Sequence, residues 1–173
     1  MPYGYGLSVN LLQLTQAYTI FANDGVVLKP RLYANEEIKV GEKVISPNVS
    51  KKMRAFMQAV VEEDGGTGGK AKIPGYTVAG KTGTAKKVIN GQYVNQYVAS
   101  FVGMAPSINP KFILAVMIDD PSKDSYYGGT VAAPVFKDIM KDALKLYDVP
   151  YDKELNENLM NKMVKPQTGD AKL

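Results

Sequence analysis

The stretch GYTVAGKTGT, residues 75–84, fits two incompatible sequence patterns, and the fold depends on which of them applies. As G-x-x-x-x-G-K-T it matches the phosphate-binding loop of nucleotide-binding proteins, in which Lys81 and Thr82 would begin a helix. As K-T-G-T, its last residues instead belong to an extended strand. The neighbouring residues distinguish the two interpretations.

The flanking sequence favours the strand. A phosphate-binding loop follows directly on a buried strand, but residues 65–74, GGTGGKAKIP, are rich in glycine and end in proline. Residues 76–79, YTVA, are mostly aromatic or β-branched, which suits a strand. Asn90-Gly91 is a strong signal for a two-residue hairpin turn, so the chain reverses soon afterwards. We therefore interpret residues 75–84 as a strand and reject nucleotide binding.

Two helices are predicted before this strand. Asn10 and Gln13 form a capping-box pair at the start of a helix over residues 10–23. Ser46 is the expected N-cap of a second helix over residues 47–63, which has a proline at its first position. The intervening residues 26–45 are predicted to form a short β-ribbon.

An antiparallel sheet and a last helix are predicted after residue 75. The strands are expected at residues 76–88, 93–105 and 111–118, and the third, which contains FILAVMI, is expected to be buried on both faces. The final helix is expected to begin near Pro134. The fold class is therefore α/β of the α+β type, with one domain over residues 1–150 and a loosely held polar tail over residues 151–173.

Composition excludes several classes of chemistry. The 173 residues contain neither cysteine nor histidine, which removes disulfides, Ser-His-Asp catalysis and histidine-ligated zinc. The net charge of +4 is small, and nucleic-acid binding is not predicted. The adjacent carboxylates Asp119 and Asp120 point apart at a strand end, so neither a metal nor another cofactor is expected. No apolar run of membrane-spanning length occurs in the sequence.

On an open sheet edge, K-T-G-T supplies groups that bind an extended peptide. Lys81 offers positive charge to a carboxylate, Thr82 offers a hydroxyl, and Gly83 lets a substrate lie against the backbone. The backbone N–H of Thr84 could donate to a developing oxyanion. Side chains alternate along a strand, which places Lys81 and Gly83 on one face and both threonines on the other. The tetrapeptide alone is a weak signal, since an edge-strand lysine also opposes aggregation.

Two other segments are predicted to border this strand. The glycine-rich residues 65–71, GGTGGKA, are interpreted as a mobile rim of the cleft, with a plain connector as the alternative. Residues 126–129, YYGG, are expected to shape the turn into the last helix, with Tyr126 or Tyr127 near the groove.

Four longer stretches carry a family resemblance. They are GYGLSVNLLQLTQAYTIFANDG (residues 4–25), GGTGGKAKIPGYTVAGKTGTAKK (65–87), ASFVGMAP (99–106) and DDPSKDSYYGGTVAAPVFKDIM (119–140). Together they resemble the last part of the transpeptidase domain of class B penicillin-binding proteins, and most closely the division-specific type, penicillin-binding protein 3 or FtsI. The resemblance covers residues 3–148 in the same order.

The resemblance implies a fold, an activity and a location. The family fold, penicillin-binding-protein/β-lactamase-like, is an antiparallel five-stranded sheet between helical layers, of which this chain would hold the three C-terminal strands. Its activity is serine-type D,D-transpeptidation, which cross-links peptidoglycan stem peptides during septal cell-wall synthesis and is blocked by β-lactams. Residues 81–84 would bind these substrates. The implied location is the periplasmic face of the inner membrane, in contact with division proteins.

The chain departs from the family pattern at the nucleophile. The family needs Ser-x-x-Lys, Ser-x-Asn and Lys-[Ser/Thr]-Gly. Seven serines occur, Ser8, Ser46, Ser50, Ser100, Ser107, Ser122 and Ser125, and none has lysine three residues later. Ser-x-Asn occurs at Ser8 and at Ser107, which we interpret as a helix start and a turn.

We therefore interpret the chain as a C-terminal fragment without a catalytic side chain, inactive alone and dependent on an N-terminal part of the same protein. The third strand, residues 111–118, would then have an open apolar edge. Two alternatives stay open. One is a non-catalytic interaction module of the same fold that binds a division partner or a muropeptide. The other is a relative of the β-lactamases or β-lactam sensors.

Overall fold

The computed structural model describes residues 7–121 and 125–153. In chain order the elements are α1 (Leu11–Ala22), β1 (Val26–Leu28), β2 (Val40–Lys43), α2 (Pro47–Glu62), a short 3-10 turn (Gly69–Ala71), β3 (Ala79–Ile89), β4 (Gln92–Ala105), β5 (Phe112–Asp119) and α3 (Gly128–Leu146). This is a mixed α/β fold with antiparallel sheets, which confirms the predicted class. Within the described ranges, no helix is both long enough and apolar enough to cross a membrane.

The N-terminal caps of α1 and α2 form as predicted. Asn10 Oδ1 accepts a hydrogen bond from the Gln13 N–H at 2.8 Å, and Gln13 Oε1 accepts one from the Asn10 N–H at 3.0 Å. Ser46 Oγ accepts a hydrogen bond from the Val49 N–H at 3.3 Å. Because each helix start leaves backbone N–H groups without intrahelical partners, these side chains fix where the helices begin.

Ser46→Ala should lower the free energy of unfolding by about 1 kcal/mol, because the cap of α2 is lost. Denaturant unfolding followed by circular dichroism measures this change. Ser8→Ala is the control, since Ser8 is exposed and lies outside both helices, and it should change stability by less than about 0.5 kcal/mol. A Ser46→Ala protein as stable as the wild type would show that this side chain does not cap α2.

Strands β3, β4 and β5 form one antiparallel sheet in that order, while β1 and β2 form a separate ribbon. The β3–β4 hairpin turns at Asn90-Gly91, where both residues have positive φ angles, 51° and 77°. This is the backbone geometry that the Asn-Gly pair predicts. In the main register, Thr82 lies opposite Phe101 and Lys81 lies opposite Val102.

Helices cover both faces of the sheet. On one face the Phe101 ring packs against the Phe136 ring of α3, with centroids 4.7 Å apart and both side chains fully buried. On the other face Met104 packs with Met57 of α2 and Phe21 of α1. Neighbouring residues on a strand alternate between these faces, so a site at the sheet edge has α3 on one side and α1 and α2 on the other.

Two expectations about α3 and β5 need correction. Helix α3 begins at Gly128, and Pro134 lies inside it and not at its start. Strand β5 was expected to be buried on both faces, but Met117 is 51% exposed and only Val116 of this strand is buried. Among the described residues β5 pairs with β4 alone, so it is an edge strand and lacks a second neighbour.

The predicted loose tail does not begin at residue 151. Tyr151, Asp152 and Lys153 contact the segment that leads into β3, through a ring contact, hydrogen bonds and an ion pair. Hydrophobic patterning missed this because the contacts are mainly polar. The rest of the predicted tail, residues 154–173, lies outside the described residues.

Candidate functional site

The K-T-G-T residues lie on β3, the edge strand of the sheet, as predicted. In the described part of the chain β3 pairs with β4 on one side and has an open edge on the other. Lys81 and Thr82 are in the middle of a strand, so they do not begin a helix as a phosphate-binding loop requires. The structure thus agrees with the rejection of nucleotide binding.

The hydrogen-bond register shows which backbone groups face the open edge. The Asp120 N–H donates to the Tyr97 carbonyl at 2.8 Å, so Tyr97 directs its backbone groups towards β5. Alternation along β4 then directs the backbone groups of Ser100 towards β3, where Ser100 lies opposite Gly83. Gly83 therefore pairs with β4, while Thr82 and Thr84 direct their N–H and C=O groups to the open edge.

The side chains of Thr82 and Thr84 lie on the α3 face of the sheet. Thr82 Oγ1 is 3.1 Å from Thr67 Oγ1 of the glycine-rich segment. Thr84 Oγ1 accepts a hydrogen bond from the Gly128 N–H at 3.1 Å, at the first residue of α3. These contacts connect β3 to both neighbouring elements and leave the backbone edge of the two threonines open.

Lys81 leaves the strand on the opposite face, but its ammonium group returns to the edge. Lys81 Nζ donates to the Thr82 carbonyl oxygen at 3.0 Å and lies 3.4 Å from Thr82 Oγ1. Because the Thr82 carbonyl faces the open edge, the positive charge lies beside that edge. The predicted alternation of side chains is therefore correct, and the lysine charge still reaches the groups that a peptide would contact.

Two glycines of this region lie at close contacts with strand β4. A Cβ atom on Gly83 would be 2.4 Å from Ser100 Oγ. A Cβ atom on Gly128 would be 2.2 Å from the Ser100 carbonyl oxygen and 2.5 Å from the Gly83 carbonyl oxygen. Helix α3 thus begins directly against the β3–β4 ladder, and this backbone contact requires a glycine at position 128, whereas a Cβ on Gly83 would meet only the Ser100 side chain.

An open cleft of about 440 Å³ lies beside the threonines of β3. Its lining residues come from the glycine-rich segment, β3 and the start of α3: Gly66, Thr67, Gly69, Lys70, Thr82, Thr84, Tyr127, Gly128, Gly129 and Thr130. The predicted positions of residues 65–71 and of Tyr127 beside the groove agree with this arrangement. The start of α3 as a cleft wall was missed, although Gly128-Gly129 indicated a close backbone approach.

Three tyrosine rings pack in a row, and the last of them, Tyr127, lines the cleft. The rings of Tyr97 and Tyr126 are nearly parallel with centroids 3.9 Å apart, and those of Tyr126 and Tyr127 are 4.6 Å apart. The hydrogen bond between the hydroxyl groups of Tyr126 and Tyr127 is the main factor that raises the pKa of Tyr127 above its usual value. The Tyr127 hydroxyl therefore stays protonated at neutral pH.

The other serine and carboxylate candidates have structural partners. Ser107 is buried and lies 2.6 Å from Gln58 Oε1, and Ser8 precedes the cap of α1, which matches their interpretation as a turn and a helix start. Asp119 pairs with Lys87 at 2.9 Å, and Asp120 accepts a hydrogen bond from Gln96 at 2.8 Å. No group of metal-ligating side chains occurs among residues 7–121 and 125–153.

Comparison with known proteins agrees with this geometry. Residues 1–141 match the family described as penicillin binding protein transpeptidase domain. A probable peptidoglycan D,D-transpeptidase, PenA, of Neisseria flavescens is 44% identical over 157 residues, which is 90% of this chain and 39% of that protein. The peptidoglycan D,D-transpeptidase FtsI of Escherichia coli strain K12 is 40% identical over 151 residues, which is 87% of this chain and 26% of that protein.

A solved structure shows the same fold. The apo transpeptidase domain of penicillin-binding protein 3 from Burkholderia pseudomallei superposes with a TM-score of 0.77 and 40% sequence identity. The similarity covers 88% of this chain and 46% of that one. The chain therefore spans less than half of the solved domain and of the curated relatives described above.

Proposed function

Because this chain belongs to the penicillin-binding protein transpeptidase family, we propose that it contributes the substrate-binding strand of a peptidoglycan D,D-transpeptidase. The observation that carries the proposal is the open edge of β3, where the backbone groups of Thr82 and Thr84 are directed outwards beside a cleft. An extended peptide can pair with such an edge as an added strand.

Each K-T-G-T residue has a role in this proposal. A stem peptide lies along β3 and pairs with the outward backbone groups of Thr82 and Thr84. The Lys81 ammonium group, held 3.0 Å from the Thr82 carbonyl, interacts with a substrate carboxylate. Gly83 has no side chain, which leaves room for the substrate to lie against the backbone. The Thr84 N–H donates to the oxyanion that forms when the substrate carbonyl is attacked. A β-lactam occupies the same positions.

The nucleophile in this proposal comes from outside the 173 residues, because none of their serines begins a Ser-x-x-Lys motif. Acylation therefore needs the complete domain, by which we mean this chain joined to an N-terminal half that carries Ser-x-x-Lys and Ser-x-Asn. The absence of the motif also favours a second function for the chain alone, a non-catalytic module that binds muropeptides through the same edge.

The cellular setting follows from the substrate and from the division-specific resemblance. We propose that the site acts at the periplasmic face of the inner membrane, where peptidoglycan is cross-linked. The resemblance to the division-specific type supports a proposed role in septal wall synthesis together with division proteins, and relatives named FtsI are peptidoglycan D,D-transpeptidases.

Lys81→Ala in the complete domain should slow penicillin acylation by about tenfold to a hundredfold, because a charge-assisted contact contributes ~1.5–3 kcal/mol. The second-order acylation rate constant measures this effect, and circular dichroism confirms that the variant is folded.

Lys86→Ala and Lys87→Ala are the controls for this measurement, and both should have much smaller effects. Lys87 pairs with Asp119 towards the hairpin end of β3, and Lys86 lies over the Tyr97 ring. If folded Lys81→Ala is acylated as fast as the wild type, the proposed role of the K-T-G-T strand is wrong.

A further inference from the structure

We propose that residues 149–153, here called the docked segment, position the K-T-G-T strand for acylation, with Asp152 as the principal positioning residue. The inference rests on the function proposed above. It concerns a part of the chain that touches neither the cleft nor K-T-G-T itself. It contacts residues 75–78, which lead directly into β3, and Glu62 of α2.

Asp152 provides partners for the backbone before β3. Its Oδ1 accepts a hydrogen bond from the Thr77 N–H at 2.8 Å, and its Oδ2 accepts one from the Thr77 hydroxyl. The N–H groups of Asp152 and Lys153 both donate to the Gly75 carbonyl, at 3.2 and 3.3 Å. The docked segment thus binds one backbone donor, the Thr77 N–H, and one backbone acceptor, the Gly75 carbonyl, of the residues that lead into β3.

Glu62, on α2, binds the backbone of the next residue, Val78. Glu62 Oε1 accepts a hydrogen bond from the Val78 N–H at 3.3 Å, and Glu62 Oε2 pairs with Lys153 Nζ at 2.6 Å. The Glu62 side chain is only 14% exposed, so solvent screens this pair less than it screens a surface pair. Lys153 therefore helps to orient the acceptor of the Val78 N–H.

Aromatic packing closes the same region. The Tyr151 ring packs against the Tyr76 ring with centroids 5.0 Å apart, and the Tyr76 hydroxyl donates to the Val149 carbonyl at 2.6 Å. Gly75 has a φ of 83°, and a Cβ atom there would be 2.5 Å from the Tyr151 ring. The docked segment therefore sits directly on the turn that starts the strand.

Burial makes these partners necessary. Thr77 is 8% exposed and Val78 is fully buried, so their backbone N–H groups would be costly without hydrogen bonds. On the β4 side, the Thr77 carbonyl accepts from the Ser107 N–H at 3.0 Å. The docked segment accepts a hydrogen bond from the Thr77 N–H, and Glu62 accepts one from the Val78 N–H. Because β3 continues from Val78 without a break, an error in the position of residues 75–78 is passed on to Lys81 and its neighbours.

The test uses Asp152→Asn in the complete domain, which keeps the size of the side chain and removes its charge and one acceptor oxygen. Amide hydrogen exchange at Thr77 should become faster by about tenfold or more, because the charge-assisted bonds from Thr77 to Asp152 are weakened or lost. The first-order acylation step should slow by about three- to thirtyfold, less than the ~10²-fold that a misplacement of 1 Å can cost. Non-covalent penicillin binding should change much less.

Asp119→Asn is the matched control, because Asp119 also contacts β3, through Lys87 at the opposite end of the strand. It should alter neither exchange at Thr77 nor acylation. Lys153→Ala should speed exchange at Val78, because Lys153 helps to orient the Glu62 acceptor of that N–H. It should also slow acylation, by a smaller factor than Asp152→Asn, and it provides a second variant if Asp152→Asn does not fold.

Unchanged exchange at Thr77 in folded Asp152→Asn, or at Val78 in Lys153→Ala where Asp152→Asn does not fold, would overturn the claim that the segment holds the residues before β3. Faster exchange with unchanged acylation would overturn the positioning role. If the wild-type complete domain is not acylated at all, the proposed function fails, while the exchange result still decides whether the docked segment holds residues 75–78.

Discussion

The 173-residue chain alone should form no covalent adduct with a fluorescent penicillin, whereas the complete domain should be labelled. A β-lactam acylates a serine that is activated by a neighbouring base. The serines of this chain lack the Ser-x-x-Lys spacing, and Ser107, one of the buried ones, is already bonded to Gln58 and Thr77. Denaturing gel electrophoresis with fluorescence detection measures the adduct directly.

Two controls make the labelling result decisive. Circular dichroism should show the helices of the isolated chain, so that an unlabelled chain is a folded one. Prior treatment of the complete domain with unlabelled penicillin should abolish its fluorescence. Stable labelling of the isolated chain would contradict the proposal, because it would require a nucleophile among the residues that we assign to substrate binding and packing.

The elements fixed by a few neighbouring residues could be predicted from the sequence. The helix caps act through hydrogen bonds within four residues, as between Asn10 and Gln13 and at Ser46. The turn at Asn90-Gly91 depends on the backbone angles of these two residues. The β3–β4 hairpin followed from these local signals and from strand-forming residues. The edge position of β3 was expected from the K-T-G-T motif, because a hairpin alone does not show which of its strands lies at the edge.

The start of α3 could not be predicted because it depends on tertiary packing. Gly128 and Gly129 have low helix propensity, and Pro134 indicated a helix start. In the structure the first turn of α3 lies against the β3–β4 ladder, where Gly128 approaches Gly83 and Ser100 closely. The sequence gives only a weak sign of such a long-range contact, which is the presence of small residues that no local turn or cap requires.

The positions of the β3 residues, of residues 65–71 and of Tyr127 were predicted, while the start of α3 as a cleft wall was missed. The roles proposed for Lys81 and Thr84 were inferred from a tetrapeptide. The return of the Lys81 ammonium group to the edge depends on the Thr82 carbonyl and could not be predicted in this way. The docked segment was expected to be loose because residues 151–153 are polar. Their partners lie more than 70 positions earlier in the chain, and such pairs cannot be identified from one sequence.

Thr84→Pro in the complete domain should slow acylation by ~10²–10³-fold, which is the cost of removing one oxyanion donor. Proline removes the backbone N–H that faces the open edge. Proline is tolerated on an edge strand where the missing N–H belongs to no ladder. The preceding residue, Gly83, is already extended, as a residue before proline prefers. The first-order acylation rate constant measures the effect.

Thr84→Val separates the backbone group from the side chain. Valine keeps the N–H and the shape of threonine but removes the hydroxyl that accepts from Gly128, and it should slow acylation far less than proline does. Matched melting temperatures for the two variants would show that the start of α3 is retained in both. Equal acylation rates for Thr84→Pro and Thr84→Val would mean that the Thr84 N–H does not stabilise the oxyanion. The open edge of β3 would then bind the peptide without taking part in the reaction.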